Sequence, residues 1–296
     1  MSSSPFKTIG VISKRTHPES IQTAERIIEY LMHAKYQVLV ASDIVELLKG
    51  SKPKALPQTE LGKACDLIIV VGGDGHLLSA ARSVFLSDVP LIGVNRGRFG
   101  FLADLSPQGL PDNLAAILAG HYLEERRCLL TAKVMRGQTV VTEANALNEV
   151  ILNTGGIARM LEFDVLINDR FVLRQRSDGL ITATPTGSTA YALSGGGPIL
   201  HPNLEAIVLV PMFPHTLSSR PLVVNNDSRI CLRITPQTLS PRLSWDGQIH
   251  IDLKAGDDIL IQKHEKTLRL LHPETYDYFK ILQEKLGWQS NPRKRE

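Results

Sequence analysis

The sequence predicts two domains of different class. The first is an α/β domain with a Rossmann-like parallel sheet, the second a β-rich, sandwich-like domain, and a C-terminal helix packs back on the first. Three observations carry this reading. The 296 residues exceed the size at which one hydrophobic core keeps growing. Short apolar runs alternate with helix-like stretches from Thr8 to Gly120, the pattern of strands joined by helices. After Glu124-Glu125-Arg126-Arg127 the apolar period becomes twofold and helical signals nearly vanish. The expected boundaries are 1–124, 125–272 and 273–296.

In the first domain the strand candidates are TIGVISK (8–14), YQVLVAS (36–42), CDLIIVVGG (65–73) and VPLIGVN (89–95). Between the first two, Ile21, Ala24, Ile27, Ile28, Leu31 and Met32 recur at the spacing of one helix face. Leu114, Ile117 and Leu118, followed by Gly120, read as a shorter helix with a glycine stop. In the second domain LEFDVLINDRFVLRQ puts Leu161, Phe163, Val165 and Ile167 on one face and turns at Asn168-Asp169, as a hairpin does. RICLRIT, DGQIHIDL and GDDILIQK add further short strands, and Asp246-Gly247 is another turn signal. After Pro273 the spacing of Phe279, Leu282 and Leu286 predicts the last helix. No long linker separates the halves, so they are expected to share an interface where a ligand can sit.

Composition narrows the function. With 43% hydrophobic and 21% charged residues and a net charge of +3, the chain is an ordinary, mildly basic globular protein. That charge suits an anionic small ligand and is too small for a dedicated nucleic-acid binder. Cys65, Cys128 and Cys231 are odd in number and far apart, which argues for free thiols in a reducing compartment. No secretion signal opens the sequence, and no apolar run approaches the roughly 20 residues of a membrane span. The expectation is a soluble cytoplasmic protein with no nucleic-acid or membrane partner.

The informative stretch is VVGGDGHLL, residues 70–78. A glycine turn between a parallel strand and a helix offers backbone N–H groups and a positive helix end to phosphate. The dinucleotide fingerprint fails here, because His76, Leu77 and Leu78 follow Gly75, and a Walker loop is also absent. Asp74 would repel a phosphate unless its carboxylate faces another partner. A metal ion shared with the phosphate, or a substrate hydroxyl whose proton it accepts, resolves the conflict, and both belong to phosphoryl transfer to an alcohol. The alternative is that Asp74 closes a turn or caps the helix.

Two further stretches bear on this choice. TATPTGSTAYALSGGGP (182–198) gathers Thr184, Thr186, Ser188, Thr189, Tyr191 and Ser194 among glycines, a composition that can hydrogen-bond a polar ligand or form a flexible surface loop. ALNEVILN places Asn148 and Glu149 at a strand lip, where the pair can clasp a ribose or lie exposed.

Together these stretches resemble the NAD kinase family, which moves the terminal phosphate of ATP to the 2′-hydroxyl of the adenosine ribose of NAD. The resemblance rests on Gly72-Gly73-Asp74-Gly75, NRGRFGFLADL (95–105), Asn148-Glu149, RSDGLI (176–181), TPTGSTAYALSGGGP (184–198), PMFPHTLSSRPLV (211–223) and WDGQ (245–248), in order from Ile69 to Gln248. The glycine-aspartate turn alone also occurs in phosphofructokinases and in lipid kinases. It is the combination that points to NAD kinase, and RQRSDG with FPHTLSSRPLV looks like its NAD-preferring bacterial branch.

The resemblance implies Asp74 as proton acceptor, with Gly72, Gly73 and Gly75 on the phosphate side. It implies Phe101 near the adenine and Asn148 and Glu149 bonded to the dinucleotide. Asp178, Thr189, Ala190, Tyr191, Ala192, Leu193 and Ser194 fall at positions lining the NAD pocket, with Asp74 and Gly75, while Arg159, Arg176 and Gln248 match outer positions. It further implies NAD held between the domains, a divalent cation, most simply Mg²⁺ riding on ATP, and a homotetramer. A kinase of the same wider group acting on a lipid or sugar phosphate is the alternative. No basic amphipathic helix suits a lipid, and the dispersed arginines do not suit a sugar phosphate. A catalytically silent NAD-sensing module would be expected to lack Asp74.

Overall fold

The computed structural model describes residues 4–95, 100–155, 160–236, 238 and 240–288. The chain divides into two compact units, Met1–Arg126 with Leu268–Glu296, and Arg127–Thr267. The first opens with β1 (Thr8–Ser13), α1 (Pro18–His33), β2 (Gln37–Ala41), β3 (Lys54–Leu56), α2 (Gln58–Ala64) and β4 (Leu67–Val71). α3 (Asp74–Val84), β5 (Leu91–Val94), α4 (Leu110–Leu118) and β6 (Leu123–Arg127) follow. Every residue of β4 and β5 is buried, as expected of parallel strands covered on both faces.

The buried stripe of α1 holds Ile21, Ala24, Ile27, Ile28 and Leu31 against this sheet, but Met32, assigned to the same face, is 43% exposed at its rim. No local signal marks β3, whose three residues sit between Pro53 and Pro57 at the sheet edge, where proline is tolerated.

The second unit is almost wholly antiparallel. Its strands are β7 (Leu130–Arg136), β8 (Thr139–Ala146), β9 (Glu149–Thr154), β10 (Leu161–Ile167), β11 (Arg170–Ser177) and β12 (Gly179–Ala183). After α5 (Tyr191–Ser194) come β13 (Ala206–Met212), β14 (Leu222–Asn225), β15 (Ile230–Ile234), β16 (Pro241–Trp245), β17 (Ile249–Asp252) and β18 (Asp258–Lys263). They form two six-stranded sheets, ordered β11-β10-β15-β18-β7-β8 and β14-β13-β12-β9-β16-β17. One core joins Phe163, Leu232 and Ile259 of the first sheet to Leu152, Leu209 and Trp245 of the second, which makes the unit a sandwich. The hairpin between β10 and β11 turns at Asn168 and Asp169, both at positive φ, the backbone that a two-residue turn of matching twist requires.

The chain then rejoins the first unit. β19 (Leu268–His272) lies between β5 and β6 in a seven-stranded sheet ordered β3-β2-β1-β4-β5-β19-β6, parallel to β5. Residues 268–272, expected within the second domain, thus pair in the sheet of the first. The last helix, α6 (Tyr278–Leu286), also belongs to the first unit. Asp277 caps it, accepting from the Phe279 and Lys280 N–H groups at 2.9 and 3.1 Å, and Gly287 ends it at φ 67°. Tyr278 and Leu282 form its buried face, while Phe279, placed on the apolar stripe by spacing, is 62% exposed. No helix among the described residues is long and apolar enough to cross a membrane.

Candidate active site

The glycine turn sits where the parallel sheet ends and α3 begins. Gly73 is the N-cap residue, and no side chain caps the helix. The Asp74 carboxylate reaches instead to a strip far along the chain. Its Oδ2 accepts from the Phe101 N–H at 2.8 Å, and its Oδ1 accepts from Leu102 and Ala103 at 3.2 and 3.1 Å. Gly100 makes this approach possible, since a Cβ there would lie 1.8 Å from Asp74 Oδ1. The strip runs back along β5, with the Asn95 N–H donating to Leu105 O at 2.8 Å and the Leu105 N–H to Gly93 O at 3.2 Å. Lys285 of α6 places its ammonium 6.0 Å from the centre of the Phe101 ring.

Beside the turn opens a cavity of about 660 Å³ lined by Lys14, His17, Pro18, Glu19, Ser20, Gly72, Gly73 and Asn95. Lys14 follows β1, and residues 17–20 form the start of α1, so a cation and a positive helix end face the glycine backbone. Next to it burial pushes the His76 imidazole below its usual value, a shift opposed by Asp43 and reinforced by Lys14.

In the second unit Asn148 and Glu149 are buried at the start of β9. Their backbone is gripped by Asp246, whose Oδ1 accepts from Asn148 and Glu149 N–H at 2.8 and 3.2 Å and whose Oδ2 accepts from Leu147 N–H at 3.1 Å. Asp246 can point inward because it and Gly247 hold the positive-φ turn at φ 49° and 63°. The sequence signalled that turn but not the grip. Burial pushes the Glu149 carboxyl up to about 8, with Asp246 adding to the shift and the Tyr191 backbone N–H opposing it. Among the described residues Asn148 Oδ1 and Glu149 Oε2 are buried with no hydrogen-bond partner, an arrangement that a polar ligand would satisfy.

The hydroxyl-rich segment is less free than its composition suggests. Thr184 donates its hydroxyl to Leu147 O at 2.6 Å and its N–H to Asn148 O at 2.9 Å. Ser188 Oγ donates to Pro185 O and accepts from Leu200 N–H, and Thr189 Oγ1 donates to Thr186 O. The turn is built to press against Asn148, for a Cβ on Gly187 would lie 2.1 Å from Asn148 O. What remains for a ligand lies further on. Tyr191 and Ser194 line a cavity of about 470 Å³ with Ile181, Gly195, Pro211, Met212, Phe213 and Pro214.

Of the other predicted positions, Ala190 is the N-cap residue of α5, Ala192 is buried in it, and Leu193 is half-buried. Asp178 is exposed at the corner between β11 and β12, where its N–H donates to Met212 O at 3.0 Å. Arg176 is exposed on β11 with Nε 3.7 Å from Glu162 Oε2. Gln248 lies exposed in the turn after β16. Gly75 is exposed at the start of α3. Arg159 and residues 96–99 of the quoted motif lie outside the described residues.

Transfer of a phosphoryl group from ATP needs a divalent cation to screen the phosphates. Among the described residues no three His, Cys, Asp or Glu side chains gather as ligands, and the Asp74 carboxylate is largely occupied by backbone donors.

The sequence matches the ATP-NAD kinase N-terminal domain over residues 9–122 and the ATP-NAD kinase C-terminal domain over 147–272. An NAD kinase of Teredinibacter turnerae is 47% identical over 287 residues, 97% of this chain and 98% of that one. One of Klebsiella pneumoniae is 47% identical over 283 residues, 96% of this chain and 97% of that one. Among solved structures, yeast NADH kinase complexed with NADH superposes with a TM-score of 0.88 at 25% identity, covering 99% of this chain and 91% of that one. An NAD kinase from Archaeoglobus fulgidus in complex with ATP gives 0.75 at 27%, covering 95% and 98%. With both family domains matched in order, and relatives nearly half identical along almost the whole length, the chain belongs to the NAD kinase family and is an ATP-using NAD kinase.

Proposed function

We propose that the enzyme transfers the terminal phosphoryl group of ATP to the 2′-hydroxyl of the adenosine ribose of NAD, with Asp74 as general base. The observation that carries the base assignment is the way Asp74 is held. A carboxylate has about four acceptor directions, and backbone N–H groups take two on Oδ1 and one on Oδ2. One direction on Oδ2 remains for the ribose hydroxyl. As the 2′-oxygen bonds to the terminal phosphorus, the bond from that phosphorus to the bridging oxygen breaks, ADP leaves, and the hydroxyl proton passes to Oδ2.

Asn148 and Glu149 bond the dinucleotide through their buried unpartnered oxygens. With its carboxyl pushed up to about 8, Glu149 does so as a neutral acid that donates as well as accepts. Tyr191 and Ser194 line an adjoining cavity for the same ligand, and Thr189, Ala190, Ala192 and Leu193 shape the backbone around it. Phe101, Asp178, Arg159, Arg176 and Gln248 make the remaining NAD contacts. On the donor side Gly72, Gly73 and Gly75 leave room for phosphate, Lys14 and the start of α1 attract it, and Mg²⁺ enters with ATP. Under the same reading the enzyme works in the cytoplasm, in keeping with its three free cysteines, as a homotetramer whose mass light scattering would report.

A coupled assay with Mg-ATP and NAD, reading NADP, tests the chemistry. Asp74→Asn should lower turnover by about 10²–10⁴-fold while NAD binding falls only a few-fold. A folded variant that keeps wild-type turnover removes Asp74 from the role of base.

A further inference from the structure

The strip that holds Asp74 is itself held from behind. Ala103 donates its N–H to Asp74, and the next residue, Asp104, turns its carboxylate the other way, to His272 of β19, with Oδ2 2.9 Å from Nδ1. The other ring nitrogen, Nε2, lies 3.4 Å from Glu125 Oε2 on β6, within ion-pair distance but without hydrogen-bond alignment. Tyr276 stacks on the ring at 4.0 Å and 18°. The groups facing His272 are therefore Asp104 from the strip, Glu125 from β6 and the Tyr276 phenol ring from the segment before α6. The ring is 1% exposed, and among the described residues Asp104 Oδ1 is buried without a partner, so within them His272 supplies the one hydrogen bond to that carboxylate.

We propose that His272 is a positioning residue for the phosphoryl transfer: clamped between Asp104 and Glu125, it anchors residues 100–105 and so fixes the three backbone donors that aim Asp74. The kinetic part of this inference rests on Asp74 being the general base. An imidazolium donates from both nitrogens and satisfies both carboxylates, whereas a neutral ring turns one lone pair toward a carboxylate oxygen. Burial disfavours the charge, but the hydrogen bond to Asp104 and the carboxylate of Glu125 beside the ring outweigh it and hold His272 above the ordinary imidazole value. The anchor is thus complete below that ordinary value and is lost as pH rises through the raised one. Between Ala103 and Asp104 there is a single peptide unit, about 3.8 Å of chain, so displacement of Asp104 reaches the Asp74 donors directly.

The test uses the full chain and two readouts. In His272→Gln, amide hydrogen exchange at Phe101, Leu102 and Ala103 should quicken by about tenfold or more relative to the cores of both units. Its kcat should fall by about 10–100-fold, the usual cost of a misplaced reacting group, with KM for NAD within about twofold. Combining His272→Gln with Asp74→Asn should cost no more than Asp74→Asn alone, since one acts through the other.

Glu125→Gln, which keeps the ring and its bond to Asp104, serves if His272→Gln does not fold. It should move the alkaline limb of the kcat–pH profile acidward by about half a unit or more. Unchanged exchange at the three amides, losses that multiply in the double variant, or an unmoved alkaline limb each overturn the proposal. If Asp74→Asn alone keeps wild-type turnover, the base assignment falls, and the exchange rates then decide whether His272 anchors the strip.

Discussion

Under the proposed function each unit of this enzyme contributes a carboxyl group to the site, Asp74 and Glu149, and the two are held in opposite ways. Among the described residues Asp74 in the first unit is met by three backbone N–H groups, while Glu149 in the second receives one, from Tyr191, and keeps a buried oxygen without a partner. The first arrangement locks direction, because three donors on rigid backbone leave a side chain little freedom. The second leaves an unmet demand that a ligand can fill, at the cost of a carboxyl pushed up to about 8. Around Glu149 it is the neighbour, Asp246, that collects the backbone donors. The difference separates two tasks that one residue type can serve: aiming at a reacting atom, and binding by being incomplete.

If that division is right, tight glycines in the two units should fail differently. Gly100→Ala forces a methyl group onto Asp74 Oδ1 and should cost about 10² or more in kcat with little change in KM for NAD. Steady-state kinetics on protein with a native circular dichroism spectrum would show it, and a loss confined to KM would erase the distinction. Gly187→Ala presses on Asn148 O and should instead raise KM for NAD about tenfold, with a smaller loss in kcat.

The gentlest probe is Glu149→Gln, read as stability against pH. A carboxyl whose folded value is raised from 4.5 to about 8 binds more protons folded than unfolded, so its contribution falls as pH rises through that window. The wild type should therefore lose stability between pH 5 and 8 relative to the variant, by at most about 1.4 kcal/mol per unit of the shift. Thermal melts of both at pH 5 and pH 9 would detect it, and a constant difference in Tm would mean that Glu149 is ionised throughout.

Much of this was legible in the sequence, and for identifiable reasons. The glycine-aspartate turn, the buried strand LIIVV and the Asn168-Asp169 hairpin are local, set by spacing and backbone preference within a few residues. The contradiction of a carboxylate in a phosphate turn singled out Asp74 before its partners were known. Those partners could not be read, because Phe101, Leu102 and Ala103 act through main-chain N–H groups that every sequence possesses. The threonine-rich segment showed the opposite weakness. Its hydroxyls are visible in the sequence, yet Thr184, Ser188 and Thr189 spend them on their own turn and on the backbone at Leu147. β19 was hidden for a third reason, since its pairing with β5 spans almost the whole second unit.

That long return also orders events during synthesis. The sandwich, Arg127–Thr267, is contiguous and can close as soon as it leaves the ribosome, whereas the first sheet waits for β19 before β5 gains its outer neighbour. Both His272 and the α6 lysine that faces Phe101 arrive in the same late stretch. In a nascent chain the glycine turn and the Asn148-Glu149 pair would thus emerge well before His272 and Lys285, so the proposed aiming of Asp74 would be the last of these features to form.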